Sequence, residues 1–293
     1  MFQGSIPALV TPMRDDGAID FVAWQALLDF HLREGTDGVV VGGTTGESPV
    51  LDRGELEELV RRAKAQVAGR MPVIAGSGTN CTAKSVALSR AAEAAGADAL
   101  LVVTPYYNKP TQEGLYRHFM AIADAVGIPV ILYNVPGRTA CDMQAETVVR
   151  LSHHPRIAGI KEATGDVARG QEILRQSRAG FLLLSGDDPT AAELMRIGAR
   201  GVISVTANVA ARAMHEMCAA ALAGRHDEAR ALNERLMPLH KALFVEANPI
   251  PVKWAVQRLG LVGSGIRLPL TPLSQPLHAT VEAAMRTVGI ALP

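Results

Sequence analysis

Apolar residues fall in eight short runs along the chain. They begin near Ser5 (SIPALVT), Gly38 (GVVVGG), Pro72 (PVIAGSG), Ala99 (ALLVVTP), Pro129 (PVILYN), Ile157 (IAGIKEA), Phe181 (FLLLSGDD) and Gly201 (GVISVTA). Each is rich in Val, Ile and Leu and lacks strict alternation, the pattern of strands covered on both faces. Amphipathic stretches with helical periodicity lie between them. Residues 52–68 open on an N-cap Asp52 and acidic residues and turn basic before Gly69, the order that suits a helix dipole. Residues 82–95 stop at Gly96 and 112–126 at Gly127. After the seventh run a helix is expected to open at Pro189, with Asp188 as its cap.

Strands alternating with helices imply a parallel sheet with right-handed crossovers, and eight strands suffice to close it into a (β/α)8 barrel without exposed edges. An open doubly wound sheet is the alternative. It needs a switch point and usually a phosphate-type glycine loop, and neither stands out. The rhythm changes after about Gly224. Residues 225–293 read as helices only, including 227–244 and 250–259. The division expected is a catalytic barrel over 1–224 and a C-terminal helical extension over 225–293.

The bulk properties fit this picture. A chain of 293 residues, 48% of them hydrophobic, is a usual size for one barrel with a short extension. Lys and Arg number 29 and Asp and Glu 29, so nothing resembles a basic surface for nucleic acid and a substrate is expected to be attracted by a local site. The three cysteines, Cys81, Cys141 and Cys218, are odd in number and widely spaced. They predict reduced thiols rather than a disulfide framework or a zinc site. No apolar run approaches a membrane span and residues 1–4 carry no basic charge, so a cytoplasmic location is expected.

In such barrels chemistry sits at the C-terminal ends of the strands. The unusual polar residues collect there. Strand two runs into Gly42-Gly43-Thr44-Thr45-Gly46-Glu47-Ser48, strand four into Thr104-Pro105-Tyr106-Tyr107-Asn108, and strand five into Tyr133-Asn134-Val135-Pro136-Gly137-Arg138-Thr139. Strand six contains Lys161-Glu162-Ala163-Thr164, and strand seven runs into Ser185-Gly186-Asp187-Asp188. Three of the four tyrosines lie at these ends.

Lys161 is the sharpest of these signals. It follows Ile157-Ala158-Gly159-Ile160, a run that should be buried, where an ammonium is costly unless paired or deprotonated. A desolvated lysine is a nucleophile toward ketones. Read alone, Lys161 also fits a strand-end lysine reaching solvent; the barrel and the tyrosines favour the reactive reading. Tyr133, one strand away, has a phenol able to pass protons at a carbinolamine or enamine, though a core tyrosine with its hydroxyl at the rim fits the same pattern. Thr44 and Tyr107 offer hydroxyls to extend a relay toward water. The glycine turn at 42–47 offers backbone N–H groups to an anion, or is simply a tight turn, and it lacks the Gly-Lys-Ser/Thr ending of a nucleotide loop. Arg138, after a rigid Pro-Gly, is placed to grip a carboxylate or to form a loop salt bridge. Asp187 and Asp188 suggest a metal only weakly, since no further carboxylate or histidine cluster joins them.

The segments GGTTGES (42–48), TPYYNKP (104–110), YNVPGRT (133–139), GIKEAT (159–164), LSGDD (184–188), GVISVTANV (201–209) and NPIPVKWA (248–255) together make the chain resemble the dihydrodipicolinate synthase (4-hydroxy-tetrahydrodipicolinate synthase) family, of the N-acetylneuraminate lyase-like pyruvate aldolases, over essentially its whole length. The resemblance implies a class I aldolase-type lyase. Its substrates are pyruvate and L-aspartate-4-semialdehyde, and its product is 4-hydroxy-tetrahydrodipicolinate for lysine and diaminopimelate synthesis. It implies a Schiff base on Lys161 and a proton relay of Tyr133, Thr44 and Tyr107, with Tyr107 crossing from a neighbouring subunit of a homo-oligomer, usually a tetramer. It implies that Thr45 holds the pyruvate carboxylate, that Arg138 holds that of the semialdehyde, and that Gly186 and Ile203 line the pocket. No metal or organic cofactor is implied.

The match departs at the family's lysine-feedback site. Ser48, Asn80 and Tyr106 fit it. Arg53, Leu56 and Lys84 replace positions that tend to be histidines and an acid, so weak or absent inhibition by L-lysine is expected. The nearest rival is another pyruvate aldolase such as N-acetylneuraminate lyase, whose turn usually reads Ser-Thr where Thr44-Thr45 stand. A non-catalytic binder on the same barrel and a metal-dependent aldolase are the rivals from other classes.

Overall fold

A computed structural model describes residues 2–292. The eight apolar runs form eight strands: β1 (Gly4–Pro7), β2 (Val39–Val41), β3 (Val73–Gly76), β4 (Ala99–Val103), β5 (Val130–Asn134), β6 (Ile157–Glu162), β7 (Leu182–Ser185) and β8 (Gly201–Ser204). All pair in parallel, in the order β1-β8-β7-β6-β5-β4-β3-β2. The remaining gap is closed by a parallel bridge between Ala8 and Val40, where Leu9 N–H donates to the Val40 carbonyl at 2.9 Å. The sheet is therefore a closed (β/α)8 barrel, and the open doubly wound alternative is overturned.

Closure divides each strand between two cores. Ile6, Val40, Ile74, Leu101, Ile131, Tyr133, Leu184 and Ile203 fill the barrel interior. Their sequence neighbours, among them Val39, Leu100, Val130, Leu132 and Val202, pack outward against the helices. Both parities are apolar, which is why the strands showed no alternation. Inside the barrel the backbones approach closely: a Cβ on Gly201 would lie 2.2 Å from the Gly4 carbonyl oxygen, so only glycine fits there.

The helices follow from spacing and caps. Helix Arg53–Val67 buries Leu56, Leu59, Val60, Ala63 and Val67 in one stripe. The Asp52 side chain accepts from Glu55 N–H and the Glu55 side chain accepts from Asp52 N–H, a complete capping box. Replacing Leu59 by Ala would leave a cavity costing about 2–5 kcal/mol.

Two expectations are corrected. The helix after β7 is Ala191–Arg196, not a helix opening at Pro189, and Asp188 does not cap it. The buried Asp188 carboxylate instead accepts from the Val205 and Thr206 N–H groups, both at 3.0 Å. Those amides end β8 inside the protein and need an acceptor that no neighbouring strand supplies. Asp187 accepts from Thr190 N–H (3.1 Å) and from its hydroxyl (2.7 Å). Nor are residues 225–293 helices only. Helices His226–Ala242, Ile250–Arg258 and His278–Thr287 are separated after Gly260 by irregular chain and a short turn at Gln275–Leu277. Gly263, Gly265, Pro269 and Pro272 punctuate that stretch. Among the described residues no helix is long and apolar enough to cross a membrane.

Candidate active site

Tyr133, next to last in β5, lies directly opposite Lys161 on β6, and both face the barrel interior. Lys161 is 5% exposed, which overturns the reading of a strand-end lysine in solvent. Its Nζ lies 4.2 Å from the Tyr133 ring centroid. Among the described residues it has no hydrogen bond and no ion pair. On the other flank stands Gly186, whose Cβ, if present, would come 2.9 Å from Lys161 Cε and 2.5 Å from Ala163 Cβ. A side chain there would occupy the space the lysine uses. Ile203, in the same interior cluster, is 1% exposed.

The residues that follow, Asn134 and Glu162, pair in the same register and point to the outer side of the barrel wall. Asn134 Nδ2 donates to Glu162 Oε2 at 3.2 Å and to Asp142 Oδ1 at 2.9 Å. Arg169 grips both oxygens of Asp142, at 2.6 and 2.9 Å. Thr164 N–H donates to Glu162 Oε1 at 2.9 Å. Burial raises the Glu162 carboxyl above its usual range, and the Arg169 guanidinium holds Asp142 below it. This network fixes the wall that carries Tyr133 and Lys161, but it lies behind them and not in the interior.

The glycine turn after β2 folds into a short 3-10 turn, Thr44–Gly46. Its exit is Glu47, buried and left-handed (φ 61°). The C-terminal extension holds this turn at three points. Asn248 Nδ2 donates to Thr45 Oγ1 at 3.0 Å, Lys253 forms a buried ion pair with Glu47, and Arg267 N–H donates to Glu47 Oε2 at 3.0 Å. Burial lowers the Lys253 amine, against the opposing pull of Glu47. Sequence reasoning quoted the 248–255 segment but gave Asn248 and Lys253 no role. The signal that singled out Lys161, one lysine in an apolar run, was also present at Lys253.

Arg138 lies on the short helical turn Pro136–Thr139. It forms no salt bridge among the described residues; its Nη2 donates to the Asn248 carbonyl at 3.2 Å. Arg138 and Thr44 line a cavity of about 540 Å³ together with Ser48, Leu56, Asn80, Lys84 and Tyr106. Arg53 is not among its lining residues and pairs with Glu57 at 2.7 Å. Tyr107 is not brought to the site either. It is 88% exposed, with φ 74°. Asn108 N–H bonds the Tyr106 carbonyl at 2.9 Å, closing a γ-turn of the rare left-handed kind around Tyr107. A non-glycine residue held this way is strained, and here the strain presents the phenol outward.

Comparison with known proteins fits this geometry. The model of the dihydrodipicolinate synthetase family matches residues 1–288. The 4-hydroxy-tetrahydrodipicolinate synthase of Stutzerimonas stutzeri (strain A1501) is 61% identical over 290 residues, 99% of each chain. The enzyme of that name from Ectopseudomonas mendocina (strain ymp) is 62% identical over the same share of each. The crystal structure of the chloride-inhibited dihydrodipicolinate synthase from Acinetobacter baumannii complexed with pyruvate superposes with a TM-score of 0.98. It is 49% identical and covers 99% of this chain and 100% of its own.

Proposed function

The chain belongs to the dihydrodipicolinate synthetase family, and from that premise we propose how its residues condense pyruvate with L-aspartate-4-semialdehyde to 4-hydroxy-tetrahydrodipicolinate. The observation that carries the reading is Lys161: a buried amine, without a hydrogen-bond or ion-pair partner among the described residues, opposite a buried phenol inside the barrel. The other buried lysine, Lys253, is committed to Glu47 and is not available as a nucleophile.

The Lys161 amine attacks the keto carbon of pyruvate. A C–N bond forms, the keto oxygen leaves as water, and the imine nitrogen becomes an electron sink. Loss of a methyl proton gives the enamine, whose carbon adds to the semialdehyde carbonyl. Ring closure by the amine of the semialdehyde onto the imine carbon releases Lys161. Each step moves a proton, and Tyr133 is placed to carry it. Thr44 and Tyr107 extend the relay to water, Thr45 holds the pyruvate carboxylate, and Arg138 the carboxylate of the second substrate. Gly186 and Ile203 leave room for the adduct.

The outward Tyr107 supports a homo-oligomer in which each chain lends its phenol to a neighbour's barrel, a tetramer in this reading. Ser48, Asn80, Lys84 and Tyr106 form a cavity altered from the lysine-feedback pattern.

Borohydride reduction in the presence of pyruvate, followed by peptide mass mapping, tests the central assignment. The adduct is expected on Lys161 and is lost in Lys161→Ala. Modification of Lys253 or Lys109 instead overturns it. Turnover of sialic acid without semialdehyde condensation would favour the N-acetylneuraminate lyase alternative.

A further inference from the structure

The two carboxylate grips assigned above, Thr45 and Arg138, come from different strands, yet one residue of the C-terminal extension touches both. The Asn248 side-chain Nδ2 donates to Thr45 Oγ1 at 3.0 Å, and its main-chain carbonyl accepts from Arg138 Nη2 at 3.2 Å. Asn248 is 5% exposed, and its Oδ1 is buried without any hydrogen-bond partner. A buried acceptor left unpaired costs about 1–3 kcal/mol, and the one side-chain hydrogen bond of this amide is the one to Thr45. The Glu47–Lys253 pair and the Arg267 N–H bond to Glu47 clamp the same turn from the same side.

A threonine hydroxyl has one proton and two lone pairs. When Nδ2 of Asn248 donates to Thr45 Oγ1, a lone pair is used and the hydroxyl proton must go elsewhere. We propose that Asn248 is a positioning residue that fixes the Thr45 hydroxyl as a donor toward the keto-acid carboxylate, while its main chain sets where Arg138 reaches. Without Asn248 Nδ2 the hydroxyl rotates freely and donates to the carboxylate only part of the time. With it, the donor is set before substrate arrives. The inference rests on the assignment of Thr45 and Lys161 made above.

Asn248→Leu keeps the volume and Asn248→Ala removes it; both retain the main-chain carbonyl. The expected result is a KM for pyruvate raised about tenfold, the scale of one hydrogen bond to a charged group. The KM for the semialdehyde and kcat should change little. A second measurement separates positioning from loosened structure. In a double-mutant cycle with Thr45→Val, the pyruvate KM of Asn248→Leu plus Thr45→Val should match that of Thr45→Val alone. Additive effects, or equal losses for both substrates accompanied by a lower Tm, overturn the proposal. Borohydride trapping at saturating pyruvate accompanies every variant. If the adduct still forms on Lys161 and the pyruvate KM is unchanged, only the role of Asn248 is lost; if the unaltered enzyme forms no adduct on Lys161, the underlying reading fails instead.

Discussion

Tyr133 and Lys161 are direct partners in the β5–β6 register, and the lysine Nζ sits 4.2 Å from the centroid of the tyrosine ring. Parallel pairing places them at the same height in the barrel with their side chains on the same, inner face. The relationship is therefore set by strand register and does not depend on a loop. A slip of one residue would bring Asn134 or Glu162 inward instead.

That rigidity gives the first prediction. Tyr133→Phe keeps the ring beside Lys161 and removes only the proton carrier. It should lower kcat by about 10²–10⁴, the usual worth of a general acid–base group. Borohydride trapping of pyruvate should slow but still yield the Lys161 adduct. Steady-state kinetics and single-turnover mass measurements check it; a kcat within a factor of a few of the parent would remove Tyr133 from the mechanism.

Tyr107 leads to a prediction about assembly. The φ of 74° and 88% exposure aim its phenol away from its own barrel. If it serves a neighbour, Tyr107→Ala and Lys161→Ala damage different chains of a shared site. Each variant alone should be nearly inactive. Unfolded together and refolded, they should recover about a quarter of the parent activity, because half the pairs are hybrids and one of two sites in a hybrid is intact when two chains exchange residues symmetrically. No recovery in a mixture shown to contain hybrids would place the phenol in its own chain's site.

L-Lysine should inhibit weakly or not at all. Lys84 and Leu56 line the cavity beside Thr44, where an ammonium-bearing ligand would want acids and polar acceptors. A like charge and an apolar wall both disfavour it. Initial rates against millimolar L-lysine are expected to stay flat, and half-inhibition at submillimolar lysine would contradict this. Lys84→Glu should raise lysine sensitivity.

Burial of two histidines predicts acid sensitivity. His31 and His118 are held near 3 and near 4, against 6.5, by desolvation. Below the unfolded value the unfolded chain binds the extra protons, so stability is complete above about pH 7 and falls as pH drops through 6.5 toward the folded values. The two together should cost about 4 kcal/mol between about pH 7 and pH 5. Urea midpoints across that range measure it. A flat profile there, before carboxylates titrate, would contradict the neutral burial of both rings.

Most of the barrel was legible in the sequence because a strand buried on both faces writes itself as an unbroken apolar run. Lys161, Tyr133 and Arg138 stood out as candidates because they lie where strands run into loops at their C-terminal ends, and the structure sets Lys161 and Tyr133 side by side there. What escaped depended on long-range contact or on backbone conformation. Asn248 meets Thr45 across 203 residues and Lys253 meets Glu47 across 206, and no local pattern encodes either. Asp188 has the local look of a helix cap, yet the orphan amides at the end of β8 claim it. The outward turn at Tyr107 needs a positive φ in a residue that rarely adopts one, so the motif showed the residue but not its direction.

The Glu47–Lys253 pair carries the last prediction. Both side chains are buried, at 1% and 3% exposure, so removing one partner strands a charge in the interior. Lys253→Met should cost about 3–5 kcal/mol, a drop of roughly 10 °C in Tm for a chain of this size. Glu47→Gln added to Lys253→Met should restore most of that, because the amide oxygen still accepts from Arg267 N–H and no charge is left unpaired. Activity should not follow stability back. The turn carrying Thr44 and Thr45 loses its ionic anchor in the double variant, so kcat/KM for pyruvate should remain several-fold low after Tm recovers. If the double variant were as unstable as the single one, the cost would lie in packing around residue 253 and not in a stranded carboxylate. If its kcat/KM returned fully, the ion pair would serve stability alone.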